Sequence, residues 1–148
     1  FAEHPIRPLI EGVWDELHAL WPGKQLSIEG DALIRCDGKW LGEAFQNLLK
    51  NACEHTAEDG QIWVIMEQTE HTFYCSVEDN GGGVRDKDRP HLFERFYRSE
   101  DQVQSGSGLG LAIVKEILYR HHGHVSAENG KNGLRINLEI PILNLTKT

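Results

Sequence analysis

The segment FQNLLKNACEHT (residues 45–56) sets two asparagines four apart inside a helical pattern. At about 100° per residue, Leu41, Phe45, Leu48, Leu49 and Ala52 fall on one arc. Asn47, Asn51 and Glu54 share a second arc, with His55 between the two. Asparagine is a middling helix former that prefers caps and turns, so a pair one turn apart asks for a reason. By itself the polar arc reads as a solvated face. The sharper alternative is a row of side chains presented to a ligand or metal, and the surrounding chain decides between them.

Working outward, Asp37 is placed to cap this helix, which runs from about Lys39 to His55. Upstream, Leu9, Ile10, Val13, Trp14 and Leu17 have helical spacing over Pro8–Leu20, and WPG at 21–23 stops the helix. QLSIEG (25–30) and ALIRC (32–36) read as short strands. Downstream, QIWVIMEQ (61–68) and TFYCSVED (72–79) are β-rich runs joined by a polar turn around Glu70, which predicts an antiparallel hairpin. NGGGVRDKDRP (80–90) is a loop, and HLFERFY (91–97) is a short helical or irregular piece. RSEDQVQSGSG (98–108) is polar and glycine-bearing, the composition of a mobile segment. Leu109–His122 is an amphipathic helix with Leu111, Val114, Ile117 and Leu118 in phase. HVSAEN (124–129) and GLRINLEIP (133–141) close the chain as two strands around a Gly-Lys-Asn-Gly turn. Strands and helices do not alternate strictly. The expected fold is therefore α+β, a two-layer sandwich, rather than a doubly wound parallel sheet.

The 148 residues suffice for one domain with a real core. A net charge of −8 argues against a nucleic-acid surface, although a local basic cluster can still hold an anion. No apolar run approaches the roughly 18 residues of a membrane span, and no signal peptide opens the chain. Cys36, Cys53 and Cys75 lack paired spacing, as expected for buried free thiols in a reducing compartment. A chain that starts at Phe1 reads as a fragment of something longer.

Three stretches carry chemistry. In EDNGGGV (78–84), Asp79 leaves a strand beside Gly81, Gly82 and Gly83, where backbone without side chains permits positive φ and close ligand approach. In GSGLGLAIVKEI (106–117), Gly106, Gly108 and Gly110 run into a helix whose free N–H groups suit phosphate. That stretch lacks the upstream strand of a dinucleotide fingerprint and the GKS/T of a P-loop. In FERFYR (93–98), Arg95 and Arg98 accompany an expected hydrophobic plug of Leu92, Phe93 and Phe96. His121, His122 and His124 form no metal set and suit a helix end, where a cation meets the dipole.

NLLKNACEHT, VEDNGGGV, LFERFYR and GSGLGLAIVKEI, in that order, resemble the N, first glycine, F and second glycine boxes of sensor histidine kinases. The chain is similar to the ATP-binding catalytic domain of that family, within the gyrase–Hsp90–kinase–MutL ATPase superfamily. The resemblance implies the Bergerat fold: a mixed, mostly antiparallel sheet covered on one face by about three helices. It implies ATP and Mg²⁺ as ligands, with Asn51 on the metal and Asn47 near the phosphates. A carboxamide oxygen is a hard neutral ligand suited to magnesium. The same carry-over gives Asp79 the adenine amine, Gly81, Gly83, Val84 and Phe96 the base pocket, and His55 the nucleotide flank. Gly106, Gly108, Leu109 and Gly110 would cradle the phosphates under a lid at about 97–107. Glu54 stands where many members carry a basic residue, which leaves two readings: Arg98 or Lys115 supplies the positive charge, or Glu54 simply faces solvent.

The superfamily's hydrolases and its anti-sigma serine kinases place a glutamate base four residues before the magnesium asparagine. Here that position is Asn47, whose amide cannot take a proton. A nucleophile needing little activation, such as a neutral imidazole, fits better. The implied activity is transfer of the γ-phosphate to a histidine on an upstream helical dimerisation domain of a homodimeric parent, for relay to a response regulator. The implied setting is the cytoplasmic part of a membrane sensor, without direct membrane contact. A regulatory nucleotide-binding module without catalysis is the alternative, with an anti-sigma type serine kinase behind it.

Overall fold

The computed structural model describes residues 1–97 and 109–142. Its elements run β1 (Ala2–Pro5), α1 (Ile6–Leu20), β2 (Gln25–Glu29), β3 (Leu33–Cys36), α2 (Gly38–His55), β4 (Gln61–Gln68) and β5 (Thr72–Asp79). A 3-10 turn at Arg89–His91 follows, then α3 (Gly110–Arg120), β6 (His124–Asn129) and β7 (Leu134–Pro141). Five strands form one sheet in the order β2-β4-β5-β7-β6. β2 lies parallel to β4 and the other pairs are antiparallel. β1 and β3 pair separately as an antiparallel ribbon. Helix α2 packs on β4 and β5, α3 on β6, β7 and α2, and α1 against α2. This is the expected α+β sandwich.

Helix α2 starts where the capping rule places it, with the Asp37 carboxylate accepting the Trp40 N–H at 3.2 Å. Its apolar arc of Leu41, Phe45, Leu48, Leu49 and Ala52 is buried to 2% exposure or less. On α3, Leu111, Val114, Ile117 and Leu118 are buried in the same core. From the sheet, Ile62, Val64, Phe73, Val77, Ile136 and Leu138 alternate inward to meet them. The three cysteines are free and buried.

Helix α1 begins two residues before the expected Pro8. Its own sequence supplies no side-chain cap, and the β2–β3 loop does so instead. Asp31 Oδ1 accepts the Arg7 N–H at 3.0 Å, and Ala32 O accepts the Ile6 N–H at 2.8 Å. Pro8 then sits at the third helical position, inside the first turn where a missing N–H costs nothing. Strand β1 was not expected, because four residues are too few to show a period.

Candidate functional site

Strand β5 lies at the middle of the sheet, between β4 and β7. Its last residue, Asp79, is 3% exposed and accepts the Gly81 N–H on Oδ1 at 2.8 Å. Burial pushes this carboxyl above its ordinary range, while the Gly81 N–H and the nearby His55 pull the other way. Gly81 is needed for space rather than φ: a Cβ there would lie 2.1 Å from the His55 carbonyl oxygen. Gly83 needs both, with φ +78° and a Cβ position 2.5 Å from Asn129 Oδ1. Val84 follows, half-buried.

Across from this turn, α2 presents its polar face, on which Asn47, Asn51, Glu54 and His55 are half-buried. Asn47 Nδ2 donates to the Glu43 carbonyl at 2.9 Å. Its Oδ1 lies 3.2 Å from where a Gly110 Cβ would stand, so this face of α2 meets the start of α3. One turn on, the Asn51 carbonyl accepts from His55 Nδ1 at 2.8 Å, which fixes the ring and puts a proton on Nδ1. Helix α3 opens at Leu109 with no side-chain cap and no acidic residue in its first turn. Such a helix start favours an anion. Among the described residues no cluster of His, Cys, Asp or Glu could hold a metal alone. A half-buried carboxamide beside a helix N-terminus, with a second one turn along α2, instead suits a cation that arrives with phosphate oxygens and water.

Asn47 and Gly110 thus come together at one point along α2, with Leu109 next in chain, and His55, Asp79 and Gly81 at another. Arg98, Gly106, Gly108 and, apart from Tyr97, the lid at 97–107 lie outside the described residues. Phe96 departs from the plug expectation: it is 68% exposed with φ +64°, while Leu92 and Phe93 do pack against the core. The strained backbone at Phe96 turns its ring outward, away from the layer its neighbours join. Lys115 is exposed, about 140° around α3 from Gly110 by helical geometry.

Three residues that hold the site together were not singled out from the sequence for these roles. Lys24 is buried and donates to the Thr56 and Ala57 carbonyls just beyond His55. Asn129 pairs its amide with both backbone groups of Val84, at 2.9 and 2.8 Å, as a neighbouring strand would. His121 does lie at a helix end, with Nδ1 donating to the Ile117 carbonyl at 2.8 Å. Its Nε2 accepts the Asp37 N–H at 3.1 Å, a role that the helix-end expectation did not include. That bond ties the end of α3 to the cap of α2. Each of these three side chains has a partner far away in sequence, beyond the reach of a local pattern.

The family model described as histidine kinase-, DNA gyrase B-, and HSP90-like ATPase matches residues 36–144. The sensor histidine kinase YvrG of Bacillus subtilis is 39% identical over 98 residues, which cover 65% of this chain and 17% of that protein. The solved catalytic domain of histidine kinase ThkA superposes with a TM-score of 0.84 at 26% identity, covering 96% of this chain and 95% of that one. ThkA in complex with response regulator protein TrrA superposes with a TM-score of 0.79 at 25% identity, covering 97% of this chain and 42% of that one. No helix among the described residues is long and apolar enough to cross a membrane. The matched segment holds α2, the Asp79 turn and α3, and the chain belongs to the histidine kinase-, DNA gyrase B- and HSP90-like ATPase family.

Proposed function

We propose that this chain is the ATP-binding catalytic unit of a sensor histidine kinase, and that it donates the γ-phosphate of Mg-ATP to a histidine on a helical dimerisation domain of a longer, dimeric parent on the cytoplasmic side of a membrane. Asp79 holds the adenine amine, with Gly81, Gly83 and Val84 shaping the base pocket and His55 on its flank. Asn51 and Asn47 face the magnesium-bound phosphates, Gly106, Gly108, Leu109 and Gly110 line them, and Arg98 supplies positive charge. Bound Mg²⁺ would neutralise the phosphate oxygens in the transfer.

The carrying observation is Asn47. Its Nδ2 is tied to the Glu43 carbonyl and its Oδ1 faces the start of α3, so this position orients and cannot deprotonate. The set of parts positions a phosphoryl group without activating water, which suits an imidazole acceptor. ThkA in complex with response regulator protein TrrA supports a regulator as the next partner. None of the eight histidines here is followed by Asp or Glu, the setting of the family's acceptor, so the phosphate goes to another domain. Incubation with γ-labelled ATP tests this. Label is expected only when a helical phosphoacceptor domain is supplied in trans, and acid-labile label on this chain alone would refute it.

A further inference from the structure

Lysine is almost never fully buried unless its charge is met, yet Lys24 is 5% exposed. Its ammonium donates to Thr56 O at 2.8 Å, Thr56 Oγ1 at 2.9 Å and Ala57 O at 2.9 Å. Three donors meet three acceptors, all in the two residues after α2 ends at His55. The C-cap, Thr56, is extended (φ −108°, ψ 161°) instead of left-handed, so no glycine motif caps the carbonyls here. The lysine takes that role from 32 residues upstream, with its charge at the negative end of the helix.

The neighbours of Lys24 extend the clamp. A Cβ on Gly23 would stand 2.8 Å from Glu58 O, and one on Gly60 would stand 2.4 Å from Thr56 Oγ1. The Gln25 N–H donates to Gly60 O at 3.0 Å. Residues 23–25 therefore grip the 56–60 loop along its length. Immediately before that loop the His55 carbonyl meets Gly81, whose N–H binds the Asp79 carboxylate. A continuous set of contacts runs from Lys24 through Thr56 and His55 to the carboxylate at the base end of the proposed site.

We infer that Lys24 is a positioning residue for base recognition: it fixes the last turn of α2 and with it the gap between His55 and Asp79. The inference rests on the nucleotide site proposed above. Packing alone would be met by an apolar side chain of the same length, whereas Lys24 is built to hold carbonyls in place. The phosphate end, at Asn47 and Gly110, is more than a helical turn away and stays unaffected.

The test compares wild type with Lys24→Met and Lys24→Arg, titrated with ADP and inosine diphosphate at a temperature where circular dichroism shows each folded. Lys24→Met is expected to weaken ADP binding about tenfold, to lose preference for ADP over the inosine analogue, and to shift the Gly81 amide and His55 ring resonances. Lys24→Arg is expected to restore most of the affinity. The ratio of ATP affinities with and without Mg²⁺ is expected to hold in both. A folded Lys24→Met domain with wild-type ADP affinity and selectivity, however low its melting point, overturns the inference. If Lys24→Met does not fold, Thr56→Val removes the Oγ1 acceptor, together with the bond Oγ1 donates to the Cys53 carbonyl, and must itself weaken ADP; unchanged affinity there also overturns the inference. A wild-type domain that binds no ADP refutes the nucleotide reading instead, so the two failures are distinct.

Discussion

Asp79 is a carboxylate kept from water at the end of the central strand, and its own fold disfavours its charge. With the folded pKa raised, the stability linked to this group is fully present below its unfolded value and is lost as pH rises through the folded one. An amine in hydrogen-bond reach of this carboxylate would offset the burial that disfavours its charge. Asp79→Asn is expected to leave stability near wild type around pH 4 and to raise it by about 1 kcal/mol at pH 7, the usual size of a stability–function trade. The same variant is expected to weaken ATP by about 1.5–3 kcal/mol, the range for a hydrogen bond to a charged group. Urea unfolding at the two pH values and calorimetry with ATP check both halves. Asn51→Ala is expected to reduce the gain in ATP affinity on adding Mg²⁺ and to spare binding of AMP, measured by titration with and without the metal. Asp79 and Asn51 stood out as candidates because a carboxylate before three glycines and an amide pair on a helix draw notice, while their proposed roles came from the order of the four boxes. Asn129 did not stand out, because its meaning lies in Val84, 45 residues away.

Among the elements, α2 and α3 hold most of the proposed site, and His121 joins them. Both ring nitrogens are used, one on the Ile117 carbonyl and one on the Asp37 N–H at the helix cap. His121→Leu leaves both groups without this partner and is expected to cost about 2 kcal/mol. It is also expected to lower ATP affinity by letting the start of α3 shift against Asn47. Denaturant unfolding and ATP titration of the folded variant measure the two effects. The long elements were readable because their apolar periods run over several turns or pleats. The failures came at ends and in short pieces. The start of α1 depends on Asp31 from a distant loop, and β1 exists only through its pairing with β3. Phe96 was misplaced for a related reason, since helical spacing says nothing about a chain held at φ +64°.

For the whole molecule, the fold class followed from the mixture of periods. The strand order did not, because β2 reaches β4 across the entire length of α2. A proposed site that draws on two helices and a sheet end is expected to couple ligand binding to global stability. Mg-ATP at a hundred times its Kd is expected to add about 2.7 kcal/mol. For a chain of this size that is about 5–10 °C in Tm. A thermal melt with and without Mg-ATP reads this directly, and Asp79→Asn at the same nucleotide concentration is expected to lose most of the gain.

The three free thiols have a practical consequence. Burial pushes Cys36 and Cys53 up to about 11 and Cys75 up to about 12, so thiolate is scarce as well as shielded at neutral pH. Cys36 lies beside the α2 cap, Cys53 in its last turns and Cys75 on the central strand, so each reports opening of a different region. An alkylating reagent becomes a clock for local opening. The native domain is expected to gain adducts only as fast as it opens, and mass spectrometry of the peptides gives the order in which the helix cap, the helix end and the sheet let go. Saturating Mg-ATP is expected to slow the clock at Cys53 most, since that residue sits in the helix whose other face carries the proposed nucleotide site.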